Sequence, residues 1–497
     1  MSTMQRSSIH STITVALLLV FAAGCASSVN PISGRKSFGY AWSPQEEIQI
    51  GSESDASIVA QYGEYDDRDL AQYVDSLGQA LVRVSHVRRG DVDPVWANMP
   101  FHFRVLDSPV VNAFALPGGF VYVTRGLLAH LENEAQLAVV LGHEIGHIVG
   151  RHGSRAMRRQ QFGMGALLLG AIGSQAVLGG NAAQNVMDVG GTATQLMFLK
   201  YGRDAESESD QLGVEYAAMA GYRAAEGAAF FRSLKRLSDK AGAALPSLLS
   251  SHPDPGNREI YIQQRSQRYA ADFPMNKVGR SSLFRHVHGL VYGEDPRQGF
   301  VQAGVFYHPQ MKFRFPVPSG FQAINQPTQV VMVPENQQAV VVFAIEASYG
   351  RAREAADAFK AQEGMQVVES GLGQAGGLPS HYVIADASDS EGNALRLRVQ
   401  YIEYAGSVFS FTGMALKNQW STYAGSFSST MQGFRRETNQ AILSKQPSRV
   451  ALRTVRNTTT FNALVSGQSV DPLTLAILNQ VELNARVPAG MIYKIVR

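Results

Sequence analysis

The sequence predicts a multidomain α+β chain: a mainly helical first domain, a β-rich α+β second domain and a small C-terminal α+β module. Three observations predict it. At 497 residues the chain exceeds what one ordinary core covers, since domains typically run to roughly 100–200 residues. Apolar residues between 134 and 241 recur mostly at helical spacings, whereas beyond residue 300 the texture changes to short β-rich runs at 330–333, 339–344 and 395–401. A polar stretch over 438–448 then sets off a final segment, 448–497. With 45% hydrophobic and 17% charged residues the chain is globular, not disordered. A net charge of +3 is close to balance and carries no nucleic-acid signature.

Residues 1–24 read as an export signal: Arg6 supplies a positive n-region, and residues 13–23 form an apolar run too short to span a bilayer permanently. Ala22, Ala23 and Gly24 before Cys25 resemble a bacterial lipoprotein processing site, although Ala22 stands where Leu is commoner. Cys25 is the single cysteine, so no intrachain disulfide is available. An acylated Cys25 would anchor the chain to a membrane; an ordinary cleaved signal and a buried thiol are the alternatives. No acid follows Cys25, and Ala26 and Ser27 would direct a lipoprotein to the outer membrane, with the protein in the periplasm.

Residues 25–45, with Asn30-Pro31, Ser33-Gly34 and Gly39, read as a tether. The first domain is drawn over 46–275. Ile48, Ile58, Leu70, Val74, Leu77 and Leu81 are spaced as in helices, 101–106 and 120–124 cluster as in strands, and a glycine-rich stretch lies between Gly163 and Gly191. The second domain, 280–440, adds helical pattern at 351–361 and has no assigned role. The last segment, 448–497, has a helical pattern over 473–483 and a strand-like one over 491–496. It loosely resembles a LysM-like glycan-binding module, which would make peptidoglycan a partner; a plain structural cap accounts for it equally well.

The chemistry is carried by His143-Glu144-Ile145-Gly146-His147. On a helix, histidines at i and i+4 stand about 40° apart on one face, so both imidazoles reach one ion. Asn133 and Gln136 can cap this helix, and Leu137, Val140, Leu141, Ile145 and Ile148 supply its apolar stripe. A zinc enzyme needs a third protein ligand and an open position for water. Glu206 is the candidate, one turn before Asp210 on a helix-like acidic stretch, 203–210. Asp210 can then accept the second N–H of a ligand histidine, while Glu208 points to another face. One Zn2+ per chain is expected, held by His143, His147 and Glu206.

Four stretches together are similar to the gluzincin zinc metallopeptidase family related to the CAAX prenyl endopeptidase, in its bacterial periplasmic, BepA-like branch. They are residues 112–119 with 123–126, the HExxH helix, 203–210, and Ser251-His252-Pro253 with Arg258. Gly202 and Ser209 depart from the usual Ser and Ala of the acidic motif. The resemblance covers roughly residues 30–265 and implies the same ligands, with Glu144 as the proton-transfer residue. It also implies a role on misfolded or unassembled envelope proteins; an anchored assembly factor with a structural or latent zinc site is the rival. Zinc would lower the pKa of a water whose proton Glu144 accepts. His252 or Arg258 could donate to a developing oxyanion. His252 could instead fill the open zinc position and hold the enzyme latent.

Asn112, Ala113 and Phe114, within 110–115, are expected to form an edge strand that pairs with extended substrate, unless this is an ordinary core strand turning at Pro117-Gly118-Gly119. Arg151, Arg155, Arg158 and Arg159 are expected to continue the motif helix into the uncharged run 162–178. That run reads as a helical flap or core packing, with lipid contact as the alternative.

Overall fold

Side-chain caps set the helix starts in the computed structural model, which describes residues 28–30, 34, 36–37, 39–159, 201–241, 248, 252, 257–388 and 392–497. The export signal, Cys25 and the 162–178 run lie outside the described residues. Helix α1 (Pro44–Tyr62) begins in a reciprocal Ser43–Glu46 capping box, and α2 (Arg68–Val84) begins on the Asp67 carboxylate. α2 buries Leu70, Val74, Leu77 and Leu81, the periodic residues of the sequence. Three strands follow: β1 (His102–Leu106), β2 (Ala113–Leu116) and β3 (Phe120–Thr124). β3 lies centrally, parallel to β1 and antiparallel to β2. The β2–β3 turn depends on Gly118 and Gly119, with φ of 83° and 98°; a Cβ on Gly119 would stand 2.0 Å from the Pro100 carbonyl.

Thr124 caps α3 (Arg125–His130), and Asn133 caps α4 (Glu134–Val149), where its side chain accepts from the Gln136 amide at 3.0 Å. Every residue of α4 after Glu134 is buried. α5 (Arg203–Met219), α6 (Glu226–Ala241), α7 (Arg258–Tyr269) and α8 (Arg280–Val287) complete the helical layer. α4 and α5 approach closely because glycines face each other: a Cβ on Gly142 would lie 3.0 Å from the Gly213 Cα. No described helix is long and apolar enough to cross a membrane.

The second unit is built on a seven-stranded antiparallel sheet. Its order is Gln366–Leu372, Ser380–Ser388, Ala394–Tyr404, Ser407–Leu416, Ala339–Ile345, Gln329–Pro334 and Phe321–Asn325. Alternation puts Phe343, Ile402, Phe409 and Phe411 into an aromatic core with the helix Trp420–Gln432. Tyr401 and Val408 go to the opposite face, under the helix Ala352–Lys360.

The last segment forms a β-α-α-β unit. Strand Val450–Thr454 pairs antiparallel with Ile492–Val496, and helices Phe461–Val465 and Pro472–Leu478 lie between them. Its apolar residues join the core of the helical domain instead of forming their own. Lys494 is wholly buried, its ammonium donating to the Ala129 and Leu131 carbonyls at 2.8 and 2.7 Å and paired with Glu132 at 3.0 Å. The same core takes in Leu283, Phe284, Val287 and Leu290, beyond residue 275.

Three expectations change. The helix expected over 473–483 stops at Leu478, because Gln480 takes a left-handed backbone, φ 54°. The strand expected over 110–115 is Ala113–Leu116. The arginines do not continue α4: it ends at Val149, Arg151 is left-handed at φ 53°, and a new helix runs over 152–159. Arg151 is held in that turn by Glu47 at 2.8 Å, by the Trp42 carbonyl at 2.6 Å and over the Tyr40 ring at 3.9 Å.

Candidate metal centre

α4 places His143, Glu144 and His147 at 4%, 1% and 3% exposure, and α5 brings Glu206 and Asp210 against them, also buried. His252 joins from the segment before α7. Four donor atoms converge here, one each from His143, His147, Glu206 and His252, all within 4.8 Å of one another. His143 Nε2 lies 3.0 Å from His147 Nε2 and 3.3 Å from His252 Nδ1; Glu206 Oε1 lies 3.4 Å from His147 Nε2 and 3.2 Å from His252 Nδ1. Zinc bonds of about 2.0–2.1 Å in a tetrahedron put ligand atoms about 3.3 Å apart. The donor set therefore fits zinc both in chemistry and in spacing.

A second observation agrees with that fit. Neither oxygen of the buried Glu144 carboxylate has a hydrogen-bond partner among the described residues, nor does His252 Nε2, 3.9 Å from Glu144 Oε1. A buried carboxylate left so is costly unless something polar occupies the space beside it. Burial pushes the Glu144 carboxyl up, against the pull of His252 and His143, and so makes it a stronger base. Burial also favours the neutral form of His147, well below the usual imidazole value. For Glu206 burial acts to raise the carboxyl, but His252, His143 and His147 hold it well below the usual range. His143 is held up at about 9: burial lowers it, and hydrogen bonds with Asp210 and Glu206 outweigh that. These two carboxylates call for positive charge at this point, which a dication would supply in place of a proton.

Asp210 Oδ1 accepts from His143 Nδ1 at 2.9 Å, leaving Nε2 free to ligate. Arg258, one of the two side chains expected as oxyanion donors, bonds to two carboxylates here. Its Nε donates to Asp210 Oδ2 at 2.8 Å and its Nη2 to Glu206 Oε2 at 2.6 Å, so its buried guanidinium braces two carboxylates. His252 likewise faces the donor cluster through Nδ1. Asn112, Ala113 and Phe114 lie at and within the start of β2, which among the described residues is an edge strand pairing with β3 alone, and which packs on α4. All four strand side chains are buried. The Leu248 amide reaches the Val111 carbonyl at 3.3 Å and the Leu248 carbonyl accepts from the His252 amide, so His252 is linked through Leu248 to the chain just before this strand.

Sequence reasoning missed Tyr201 and His152. Tyr201 stacks on His147 with centroids 4.1 Å apart. His152 Nδ1 lies 2.9 Å from His147 Nδ1, while its Nε2 meets Glu208 Oε2 at 3.3 Å. Five residues along a continuous helix would carry His152 away from the ligand face; only the break at Gly150–Arg151 turns it back. Glu208 does point away from Glu206, yet it is buried between His152 and Arg155.

Residues 74–266 match Peptidase family M48. The beta-barrel assembly-enhancing protease of Escherichia coli is 30% identical over 227 residues, 45% of this chain and 44% of that protein. The putative beta-barrel assembly-enhancing protease of Vibrio cholerae is 33% identical over 207 residues, 40% of each chain. The mitochondrial metalloendopeptidase OMA1 of Arabidopsis thaliana is 35% identical over 162 residues, 32% of this chain and 30% of that one. The chain thus spans less than half the length of the curated relatives it matches. The residues matched to that family include the HExxH helix, the acidic helix and His252 with Arg258.

Proposed function

We propose that the protein is a zinc-dependent endopeptidase that cleaves misfolded or unassembled cell-envelope proteins. The observation that carries the reading is the buried donor cluster beside a carboxylate whose oxygens have no partner among the described residues. His143, His147 and Glu206 would hold the ion. Zinc, when bound, would act as a Lewis acid, polarising the scissile carbonyl and acidifying the attacking water. Glu144 accepts the proton of that water at a carboxylate oxygen, a transfer its raised basicity favours, and then delivers it to the leaving amine. Asp210 and Arg258 keep His143 and Glu206 in place. Asn112, Ala113 and Phe114 line the edge to which an extended substrate adds as a strand, through backbone hydrogen bonds that suit unfolded chains. Ala113→Pro removes one amide donor and should abolish peptide cleavage while zinc stays bound; intact cleavage would refute strand addition.

Names of the relatives, a protease that enhances β-barrel assembly and metalloendopeptidases, support the substrate class. A lipid anchor at Cys25 would hold the protein at the outer membrane, facing the periplasm, and the C-terminal β-α-α-β unit could add contact with peptidoglycan. A second reading is favoured by His252, whose Nδ1 stands as a fourth donor: the site is latent, in an anchored assembly factor, until His252 leaves.

Proteolysis of an unfolded protein by residues 26–497 tests both. Glu144→Gln and chelation should each remove cleavage, the former by about 10²–10⁴-fold in kcat. His252→Ala should raise activity if His252 blocks the site and lower it if His252 serves catalysis. Wild type that binds zinc and never cleaves, with His252→Ala also inactive, would leave the assembly-factor reading.

A further inference from the structure

We propose that His152 and Glu208 form a hydrogen-bond relay that positions His147, fixing the tautomer in which its Nε2 lone pair faces the metal. The inference rests on the zinc reading above and assigns a role to two residues that reading does not use. The two ligand histidines are supported differently. His143 leans on a carboxylate, Asp210, at 2.9 Å. His147 leans on another imidazole, with the two Nδ1 atoms 2.9 Å apart.

Two imidazole nitrogens at that distance share one proton, so one must donate and the other accept. The far end of His152 decides which. Its Nε2 lies 3.3 Å from the buried Glu208 carboxylate, which only accepts when ionised. The Arg155 guanidinium pairs with that carboxylate, so the Glu208 oxygens stand as acceptors. The proton of His152 therefore sits on Nε2, which leaves Nδ1 a bare acceptor. His147 must then carry its own proton on Nδ1, and its Nε2 is bare toward the donor cluster. Ser209 Oγ, 3.2 Å from His152 Nδ1, can donate to the same acceptor and reinforces the direction. The relay ends on Arg155, whose Nη1 reaches Glu208 Oε2 at 3.1 Å.

Local backbone is shaped around this arrangement. The break after α4 brings His152 back over Gly150, where a Cβ would meet the His152 ring at 2.2 Å. The ring is wholly buried, with 1% exposure. A face of the His147 ring carries Tyr201, stacked at 4.1 Å, so the ligand is fixed by a ring stack as well as by the relay.

Two measurements on the whole protein test the relay. Zinc affinity is read by chelator competition for wild type, His152→Leu, Glu208→Leu and Glu208→Gln, each checked for folding by thermal denaturation. The Leu variants should bind zinc 10- to 100-fold more weakly, the range typical for lost support of a ligand histidine. Glu208→Gln, whose amide oxygen still accepts from His152 Nε2–H, should recover most of the affinity. The second measurement is the ¹⁵N histidine spectrum of metal-free wild type, which needs no variant to fold. His147 should show protonated Nδ1 and bare Nε2. Folded Leu variants with unchanged zinc affinity, or an Nε2-protonated neutral His147 in wild type, would overturn the relay alone. Wild type that binds no zinc would overturn the metal reading and the relay together.

Discussion

Arg258 stands behind the ligands, its guanidinium bonded to Asp210 and Glu206, all three buried. Removing one partner of a buried ionic network typically costs about 3–5 kcal/mol, because the remaining charges keep their desolvation penalty. Arg258→Leu should therefore lower unfolding free energy by about that amount and weaken zinc binding, read by denaturant titration and chelator competition. A variant as stable as wild type would remove the bracing role. At Asp210 the change to Asn keeps shape but not charge, and zinc affinity should fall about 10- to 100-fold. His308 makes a pH prediction in the second unit. Burial holds its imidazole down at about 4, and its Nδ1 accepts the Met311 amide at 3.2 Å. It folds in the neutral form, so its contribution is complete above the unfolded value near 6.5 and is lost as pH falls from there through about 4. The loss is on the order of 3 kcal/mol. His308→Gln, which retains an acceptor and cannot titrate, should show a smaller fall in stability between about pH 7.5 and 4.5 than wild type; parallel curves would count against it.

The metal centre depends on two helices lying unusually close. Gly142 and Gly146 of α4 face Gly213 and Ser209 of α5, and a Cβ added to Gly213 would stand 2.8 Å from the His143 backbone nitrogen. That backbone cannot yield as a side-chain tip would, so the helices must part. Gly213→Ala should destabilise the domain by roughly 1–3 kcal/mol and weaken zinc binding, because Glu206 and Asp210 recede from His143 together. A stable Gly213→Ala protein with wild-type zinc affinity would show that the helix separation is not set here. The N-terminus of α4 is secured from outside its own segment: the Gln480 amide side chain bonds both Gln136 and the His130 carbonyl. The helix that carries the ligands is thus capped by Asn133 and braced by the C-terminal segment.

For the molecule as a whole, that brace means that the last segment and the peptidase domain share one core. Val450, Phe461, Leu475, Leu478, Tyr493 and Ile495 pack into the cluster that contains Leu137, Leu141 and Ile145. Lys494 fixes the join, its buried ammonium satisfying the carbonyls at the end of α3 and in the turn before α4. Lys494→Met leaves Glu132 without that cation, although Arg280 remains 3.0 Å from its other oxygen. The cost should be a few kcal/mol, about 3–5 at most. Calorimetry should show the peptidase domain melting earlier together with the segment, in one transition. Separate transitions, with the peptidase melt unmoved, would mean an independent appended module.

The sequence on its own determined which side chains share a helix face, because histidines four apart and carboxylates four apart need only a helix to do so. The pairs His143 with His147 and Glu206 with Asp210 were legible for that reason, and the Asn133 cap and the strand runs after residue 300 were legible from their own local signals. Legibility ended wherever position depended on chain direction between elements. Arg258 was visible as a charge near the site, but its two carboxylate partners were not. His152 was hidden because periodicity assumes that a helix continues, and a left-handed Arg151 ends it. The shared core of 448–497 was hidden because apolar spacing tells which face is buried and not against what. Local rules read along the chain fix which side chains can act together, whereas tertiary packing alone decides which distant groups satisfy them.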